Sequence, residues 1–283
     1  MTIDQRLSTI DIQDIIAIAK KAGDAIMEIY DKDFTIEYKE DESPLTQADL
    51  KSNEVIIEGL EALNSKFKIQ NSKFKHIPLL SEENKEVPYE TRKHWEYFWL
   101  IDPIDGTKEF IKKNGEFTVN IALIHKDTPV LGVVYAPALG DMYWAAKGKG
   151  AFKAIVNNEK FIKKLPLHHN NDSENNLTIV ASKSHLSKET QDLIDHLTSK
   201  IQNPTFISKG SSLKLVMVAE GSADIYPRLA PTMEWDTAAA DAIVREAGKM
   251  TYQYNHRLST IDYRPLKYNK ENLLNPWFVV KGK

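Results

Sequence analysis

A buried strand that ends in paired carboxylates is written between Trp99 and Thr107. The run Trp99-Leu100-Ile101 is wholly apolar, and it stops at Asp102-Pro103-Ile104-Asp105-Gly106-Thr107. A short apolar run closed by a turn signal reads as a strand. Pro103 forces a turn and gives up a backbone donor. Asp105 follows three residues after Asp102, and Gly106 and Thr107 stand where a helix or tight turn begins.

The remaining elements form around this strand. Asp11 to Tyr30 places Ile12, Ile15, Ile16, Ala19, Ala22, Ile26 and Ile29 at helical spacing. Phe34 to Lys39 has strand character. Thr46 opens a second helix carrying Val55, Ile56, Leu60 and Leu63. The lysine-rich stretch from Asn64 to Lys75 is expected as an exposed connection. Ile77 to Leu80 reads as a short strand ending at Ser81-Glu82. Phe117 to His125, Val130 to Tyr135 and Asp141 to Ala146 read as an antiparallel sheet, turned by Pro137 and Gly140.

Asn157 to Lys164 and His168 to Asn176 are polar, and the second half of the chain is expected to begin there. Leu177 to Ala181 is a strand and Lys188 to Lys200 a helix. Gly210-Ser211-Ser212 opens a helix from Leu213 to Glu220, capped by Gly221. Asp224 to Tyr226 and Trp277 to Val280 read as strands. Asp236 opens an alanine-rich helix that ends at Ala247-Gly248. The length of 283 residues fits one large domain or two medium ones. The order of elements gives α+β first and α/β second.

Carboxylates in this arrangement suit magnesium, which takes oxygen ligands, typically one or two carboxylates plus phosphate oxygens and water. Asp102 and Asp105 can face one metal site, with the Ile104 carbonyl between them. The free N–H groups of Gly106 and Thr107 suit a phosphate, as helix starts do. The plainer reading is a helix start decorated with acids. Three further acids join the candidate set. Glu82 follows a strand, or it is a first-turn acid behind Ser81. Asp236 is also a natural N-cap. Thr46-x-x-Asp49 has the pattern of a capping box.

Composition narrows the chemistry. With no cysteine, thiolate nucleophiles and cysteine–zinc sites are excluded. Lys+Arg is 37 against Asp+Glu 40, which argues against a dedicated nucleic-acid binder but permits a small anionic substrate. No apolar run approaches the ~18 residues of a membrane span. The N-terminal residues lack the apolar core of a signal peptide, so a soluble cytoplasmic protein is expected.

Taken together, the motifs resemble the lithium-sensitive, magnesium-dependent phosphatases of the inositol monophosphatase superfamily. Asp102-Pro-Ile-Asp-Gly-Thr107 resembles that family's first signature. Glu234-Trp-Asp-Thr-Ala-Ala239, running to Gly248, resembles its second. Leu80-Ser-Glu-Glu83, Gly106-Thr-Lys-Glu-Phe-Ile111, Asn114-Gly-Glu-Phe-Thr-Val-Asn-Ile121, Gly132 to Pro137, Gly210 to Lys214 and Tyr226-Pro-Arg228 are most similar to the family's bacterial bisphosphate nucleotidases.

The resemblance implies the layered αβαβα sandwich shared with fructose-1,6-bisphosphatase. It implies an α+β domain over residues 1–155 and a smaller α/β domain over 156–283. It also implies a small-molecule substrate, adenosine 3′,5′-bisphosphate, cleaved to AMP and phosphate with two or three Mg²⁺ ions. By the same resemblance, Glu82, Asp102, Asp105, Asp236 and the Ile104 carbonyl hold metal, and Asp49 and Thr107 hold and activate water. Gly106 joins Glu82, Ile104, Asp105, Thr107 and Asp236 against the substrate. Loose association with the inner face of the cytoplasmic membrane is a property of its nearest relatives.

A second phosphate needs its own cations. Lys214 beside Ser211 and Arg228 after Pro227 are candidates, with Lys39 a weaker one; the alternative for each is an ordinary surface cation. Within the same chemistry, the rival substrate is an inositol or sugar phosphate. A glycosidase and a non-catalytic phosphate- or nucleotide-binding protein are the rival classes.

Overall fold

The computed structural model describes residues 10–32, 36–38, 44–70, 76–84, 87–156, 158–167, 176–182, 187–199, 201, 203–255 and 257–282. The apolar runs that the sequence marks as strands assemble into a seven-stranded sheet. Its strands, in spatial order, are β3 (Leu79–Ser81), β4 (Tyr97–Asp105), β5 (Thr118–His125), β6 (Thr128–Ala136), β7 (Asp141–Ala146), β8 (Gly150–Ile155) and β9 (Asn158–Lys164). All neighbours are antiparallel except β3 with β4. A small hairpin of β1 (Ile36–Tyr38) and β2 (Pro44–Thr46) stands apart from it.

The central strands are apolar on both faces because both faces are covered. Tyr97, Trp99, Ile101, Val119, Ile121 and Leu123 pack under α1 (Ile12–Tyr30) and α2 (Gln47–Gln70). Phe98, Leu100, Ala122, Ile124 and Val134 face the other way, onto α6 (Leu213–Glu220) and α7 (Trp235–Glu246). Side chains of a strand alternate between faces, so one continuous apolar run serves two cores.

Beyond α6 and α7 lies a second sheet, ordered β11 (Asn203–Ser208), β10 (Asn176–Ala181), β12 (Ile225–Arg228), β15 (Phe278–Gly282), β13 (Lys249–Asn255) and β14 (Thr260–Pro265). Its far face carries α5 (Lys188–Thr198), with Leu193 and Ile194 packed on Ile179, Ile225 and Val279. The result is helix, sheet, helix, sheet, helix: the five-layer sandwich that the resemblance implies.

Several expectations are corrected. The stretch after Asn64 is helical as far as Gln70, where α2 ends; the rest of the expected connection, 71–75, lies outside the described residues. Asn64 is buried and its amide clasps both backbone groups of Ile77, at 3.0 and 3.1 Å. Asn158–Lys164 is a strand, and it pairs in the first sheet, past the 155/156 division expected from the sequence. Strands β8, β11, β13 and β14 were not anticipated. The polar stretch from His168 lies outside the described residues through 175, as do both ends of the strand expected over Phe34 to Lys39.

The alanines of α7 let it approach the first sheet closely. At Gly132 in β6, an added Cβ would lie 2.1 Å from the Ala239 carbonyl oxygen. Only glycine fits beneath the helix there. Gly132→Ala is expected to destabilise the protein by about 1–3 kcal/mol or more. Denaturant unfolding measures this, and an unchanged midpoint would contradict the close contact.

Candidate active site

The first sheet delivers its acids at one end. β4 carries Asp102 and Asp105, and its pairing with β5 shifts register between them. The strand therefore does not stop at Asp102, as the sequence suggests; it bulges through Pro103 and Ile104 and continues to Asp105. Bulges re-aim side chains, here two carboxylates on one edge of the sheet. Ser52 of α2 pins the bulge, its hydroxyl donating to the Pro103 carbonyl at 2.8 Å. Gly106 then takes φ +91°, left-handed backbone that favours glycine, and starts the single-turn helix α4 (Thr107–Ile111).

Asp49 sits in the first turn of α2. Its Oδ2 accepts from the Thr46 backbone N–H at 2.8 Å and the Thr46 hydroxyl at 2.6 Å, and that hydroxyl accepts from the Ala48 N–H at 3.2 Å, one residue earlier than in the anticipated capping box. Its Oδ1 lies 3.2 Å from the Thr107 hydroxyl, which is also 3.3 Å from the Ile104 carbonyl oxygen. Glu82 follows β3 in a turn, not a helix, and its N–H donates to the Ile101 carbonyl at 3.2 Å.

Asp236 arrives from the other side. It is not the N-cap of its helix: α7 begins at Trp235, and Asp236 Oδ2 folds back to accept from the Met233 N–H at 2.9 Å. The helix start is held by the loop that follows Tyr268. Glu234 is fully buried and accepts from the Asn269 and Lys270 N–H groups at 2.6 and 3.0 Å. Arg92, the last residue of the short helix α3 (Tyr89–Arg92), grips the same loop, donating to the Asn269 amide oxygen and the Glu271 carbonyl.

Glu82, Asp102 and Asp236 converge, each offering one oxygen within 4.8 Å of the others. Asp105 is held slightly apart. Burial raises its pKa, while the Lys214 ammonium and hydrogen bonds from Ser212 and Asn120 oppose that rise. The Asn120 amide also donates to the Ser212 hydroxyl at 2.9 Å, and that hydroxyl donates to the Asp236 carbonyl at 2.7 Å. Sequence reading missed Ser52, Asn120 and Ser212. Asn120 left a signal, being an amide within the apolar stretch Val119 to Ile124.

The cluster is electrostatically unsatisfied. Asp102 is buried with the pKa of its carboxyl well above the ordinary range, first by desolvation and then by the charges of Glu82, Asp105, Asp236 and Asp49. Among the described residues its Oδ1 has no hydrogen-bond partner. Asp236 is raised for the same reasons, with Asp105 and Glu82 as its main repulsive neighbours. Asp49 is raised mainly by burial. An oxygen-only set with an orphaned buried lone pair is the donor chemistry of a hard divalent cation.

Glu82, Asp102, Asp105 and Asp236 line a cleft of about 280 Å³ together with Thr107, Glu109, Ser211, Lys214 and Arg228. Lys214 is buried, not a surface lysine. Its ammonium donates to the Ser211 and Lys209 carbonyls at 2.8 and 3.3 Å. Burial pulls its pKa down to about 8, with Asp105 opposing the fall. Arg228 spends one Nη on the Pro231 carbonyl, and its buried Nε has no partner among the described residues. Lys39 lies outside the described residues. The cleft thus carries two buried or half-buried cations, Lys214 and Arg228, beside its acids, with Lys214 acting on Asp105 and Arg228 on Asp236.

A model described as the inositol monophosphatase family matches residues 7–275. The chain belongs to the inositol monophosphatase family. Among its members, the 3′(2′),5′-bisphosphate nucleotidase CysQ of Salmonella typhimurium is 44% identical over 275 residues, covering 95% of this chain and 98% of that one. The nucleotidase of the same name from Escherichia coli K12 is 42% identical over the same shares. The crystal structure of CysQ from Bacteroides thetaiotaomicron aligns with a TM-score of 0.79 at 44% identity, covering 96% of each chain. No described helix is long and apolar enough to cross a membrane.

The raised carboxylates tie stability to pH. With folded pKa values above the unfolded 3.8, the metal-free folded state binds extra protons. That stability is full below 3.8 and is lost as pH rises through the raised values. In EDTA, the Tm is therefore expected to fall as the pH rises above 3.8. Asp102→Asn should raise the Tm in EDTA at neutral pH, by about 2–4 °C per kcal/mol of repulsion relieved. A lower Tm for this variant would contradict the repulsive cluster.

Proposed function

We propose that this family member is a magnesium-dependent 3′(2′),5′-bisphosphate nucleotidase that hydrolyses the 3′-phosphate of adenosine 3′,5′-bisphosphate to give AMP and phosphate. The observation that carries the reading is one cleft that holds both the acidic cluster of Glu82, Asp102 and Asp236 and two cations, Lys214 and Arg228, with Lys214 buried. A substrate with a second phosphate gives those cations a partner. The relatives named as bisphosphate nucleotidases, at 42–44% identity over nearly full length, support the same substrate.

In this reading Glu82, Asp102, Asp105, Asp236 and the Ile104 carbonyl hold two or three magnesium ions. Bound there, magnesium supplies neutralisation of the transferring phosphoryl group and a lowered pKa for the attacking water. The first half, expected over 1–155 and extended through Lys164 by sheet pairing, contributes Asp49, Glu82, Asp102, Asp105 and Thr107. The second half contributes Asp236, Ser211, Lys214 and Arg228.

The water is held between Thr107 and Asp49. Thr46 occupies Asp49 Oδ2, so Oδ1, already within reach of the Thr107 hydroxyl, is the oxygen that accepts the proton. Burial raises Asp49 toward the range useful to a general base near neutrality. The water oxygen forms the new P–O bond as the bond to the ribose 3′-oxygen breaks, and that oxygen leaves with a proton from solvent. The N–H groups of Gly106 and Thr107 receive phosphate oxygens at the start of α4. Lys214 and Arg228 receive the 5′-phosphate, and Ser211 sits beside it.

The direct test is phosphate release from adenosine 3′,5′-bisphosphate and from inositol 1-phosphate, with magnesium and with EDTA. Magnesium-dependent release favouring the nucleotide is expected; preference for the inositol ester would overturn the substrate. Asp102→Asn should lower kcat by about 10³-fold or more while circular dichroism stays native. Full turnover in that variant removes Asp102 from the metal set.

A further inference from the structure

Glu116 is absent from the cleft lining, yet it controls the turn that seats the cleft's buried lysine. It lies in the loop between α4 and β5. Its two carboxylate oxygens reach across to the second half of the molecule. One pairs with the Lys209 ammonium at 3.0 Å, and the other accepts from the Gly210 backbone N–H at 2.9 Å. The fit between loops is tight. A Cβ at Gly210 would lie 2.7 Å from both the Glu116 carbonyl oxygen and Glu109 Cγ.

The clamped turn is itself unusual. Ser211 has φ +44°, a left-handed backbone that non-glycine residues seldom hold without support. The Thr118 hydroxyl lies 3.4 Å from the Ser211 hydroxyl and is a second, longer contact from the first half. The carbonyls that this turn presents, those of Lys209 and Ser211, are the hydrogen-bond acceptors of the Lys214 ammonium. A chain of contacts thus runs from Glu116 through Lys209, Gly210 and Ser211 to Lys214.

We propose that Glu116 is a positioning residue that sets selectivity for substrates carrying a second phosphate, by clamping the Lys209–Ser211 turn whose carbonyls seat Lys214. This inference rests on the nucleotidase reading. A charged acceptor bonded to a backbone N–H, together with an ion pair half-shielded from water, is strong enough to hold a strained turn. When the clamp is removed, the turn relaxes toward ordinary backbone and its carbonyls move away from the ammonium. Glu82, Asp102 and Asp236 are carried by the turn after β3, by β4 and by α7, outside the clamped turn; Asp105 alone of the acids has the Lys214 ammonium as its main charge partner.

The test compares two substrates that share the scissile phosphate: adenosine 3′,5′-bisphosphate and adenosine 3′-phosphate, which lacks the second. Glu116→Ala is expected to raise KM for the bisphosphate about tenfold. It should leave kcat for the bisphosphate, and kcat/KM for the monophosphate, within about twofold. Glu116→Gln keeps an acceptor for the Gly210 N–H and loses the ion pair, so it should restore part of the KM. Equal losses on both substrates would overturn the inference, since a merely structural staple weakens both alike. So would unchanged constants on both. If Glu116→Ala does not fold, Glu116→Gln and Lys209→Met carry the same comparison, each expected to raise the bisphosphate KM about threefold; no change in either overturns the clamp. A parent protein that releases no phosphate from the bisphosphate sinks the nucleotidase reading itself, an outcome seen before any variant is made.

Discussion

Carboxylates that repel one another are held at one point, and the remainder of the molecule is arranged to hold them there. Asp102, with a buried oxygen that no described residue bonds, is the extreme case. Left to themselves these groups would separate, and without a cation the raised pKa values let them hold protons. They stay together because each is fixed by a different neighbour: the Pro103 bulge by Ser52, Asp49 by Thr46, Asp236 by Met233, and Asp105 by Asn120 and Ser212. Stability is given up locally so that a cation finds its ligands already in place, which is the general logic of preorganised sites.

The helix layer between the sheets makes this possible. α7 packs its alanines onto Gly132 and Ala122 of the first sheet while the second sheet closes over its far side. Small side chains bring the helix axis close, and the close approach sets Asp236 beside Asp102. Glu234 and Arg92 then fix where the helix begins. The buried lysine follows from the same layer, because α6 starts at Ser212 and carries Lys214 in its first turn.

Local patterns were legible in the sequence. Asp102 to Thr107, the box of Thr46 with Asp49, and the alanine-rich helix after Asp236 each depend on neighbours within a few residues. What could not be read depends on distance or weak contrast. Strands β11, β13 and β14 bury few side chains, so their alternation is faint. The last turns of α2 look like a lysine-rich loop because only a few residues, among them Asn64 and Phe67, face inward. Ser52 and Ser212 are ordinary serines until folding sets them against Pro103, 51 residues away, and Asp236, 24 residues away. The bulge in β4 is invisible for a related reason: Pro103 announces a break, and only the partner strand reveals that pairing resumes.

The placement of α7 also dictates an order of assembly. The inner face of the first sheet, with Phe98, Leu100, Ala122, Ile124 and Val134, is covered by a helix that ends at Glu246. A chain emerging from the ribosome therefore completes all seven strands of that sheet long before it makes the segment that shields them. During this interval an oily surface faces solvent, and the acidic cluster is incomplete, since Glu82 and Asp102 still lack Asp236. Competence to bind the cation and escape from aggregation arrive together, with the same twelve-residue helix.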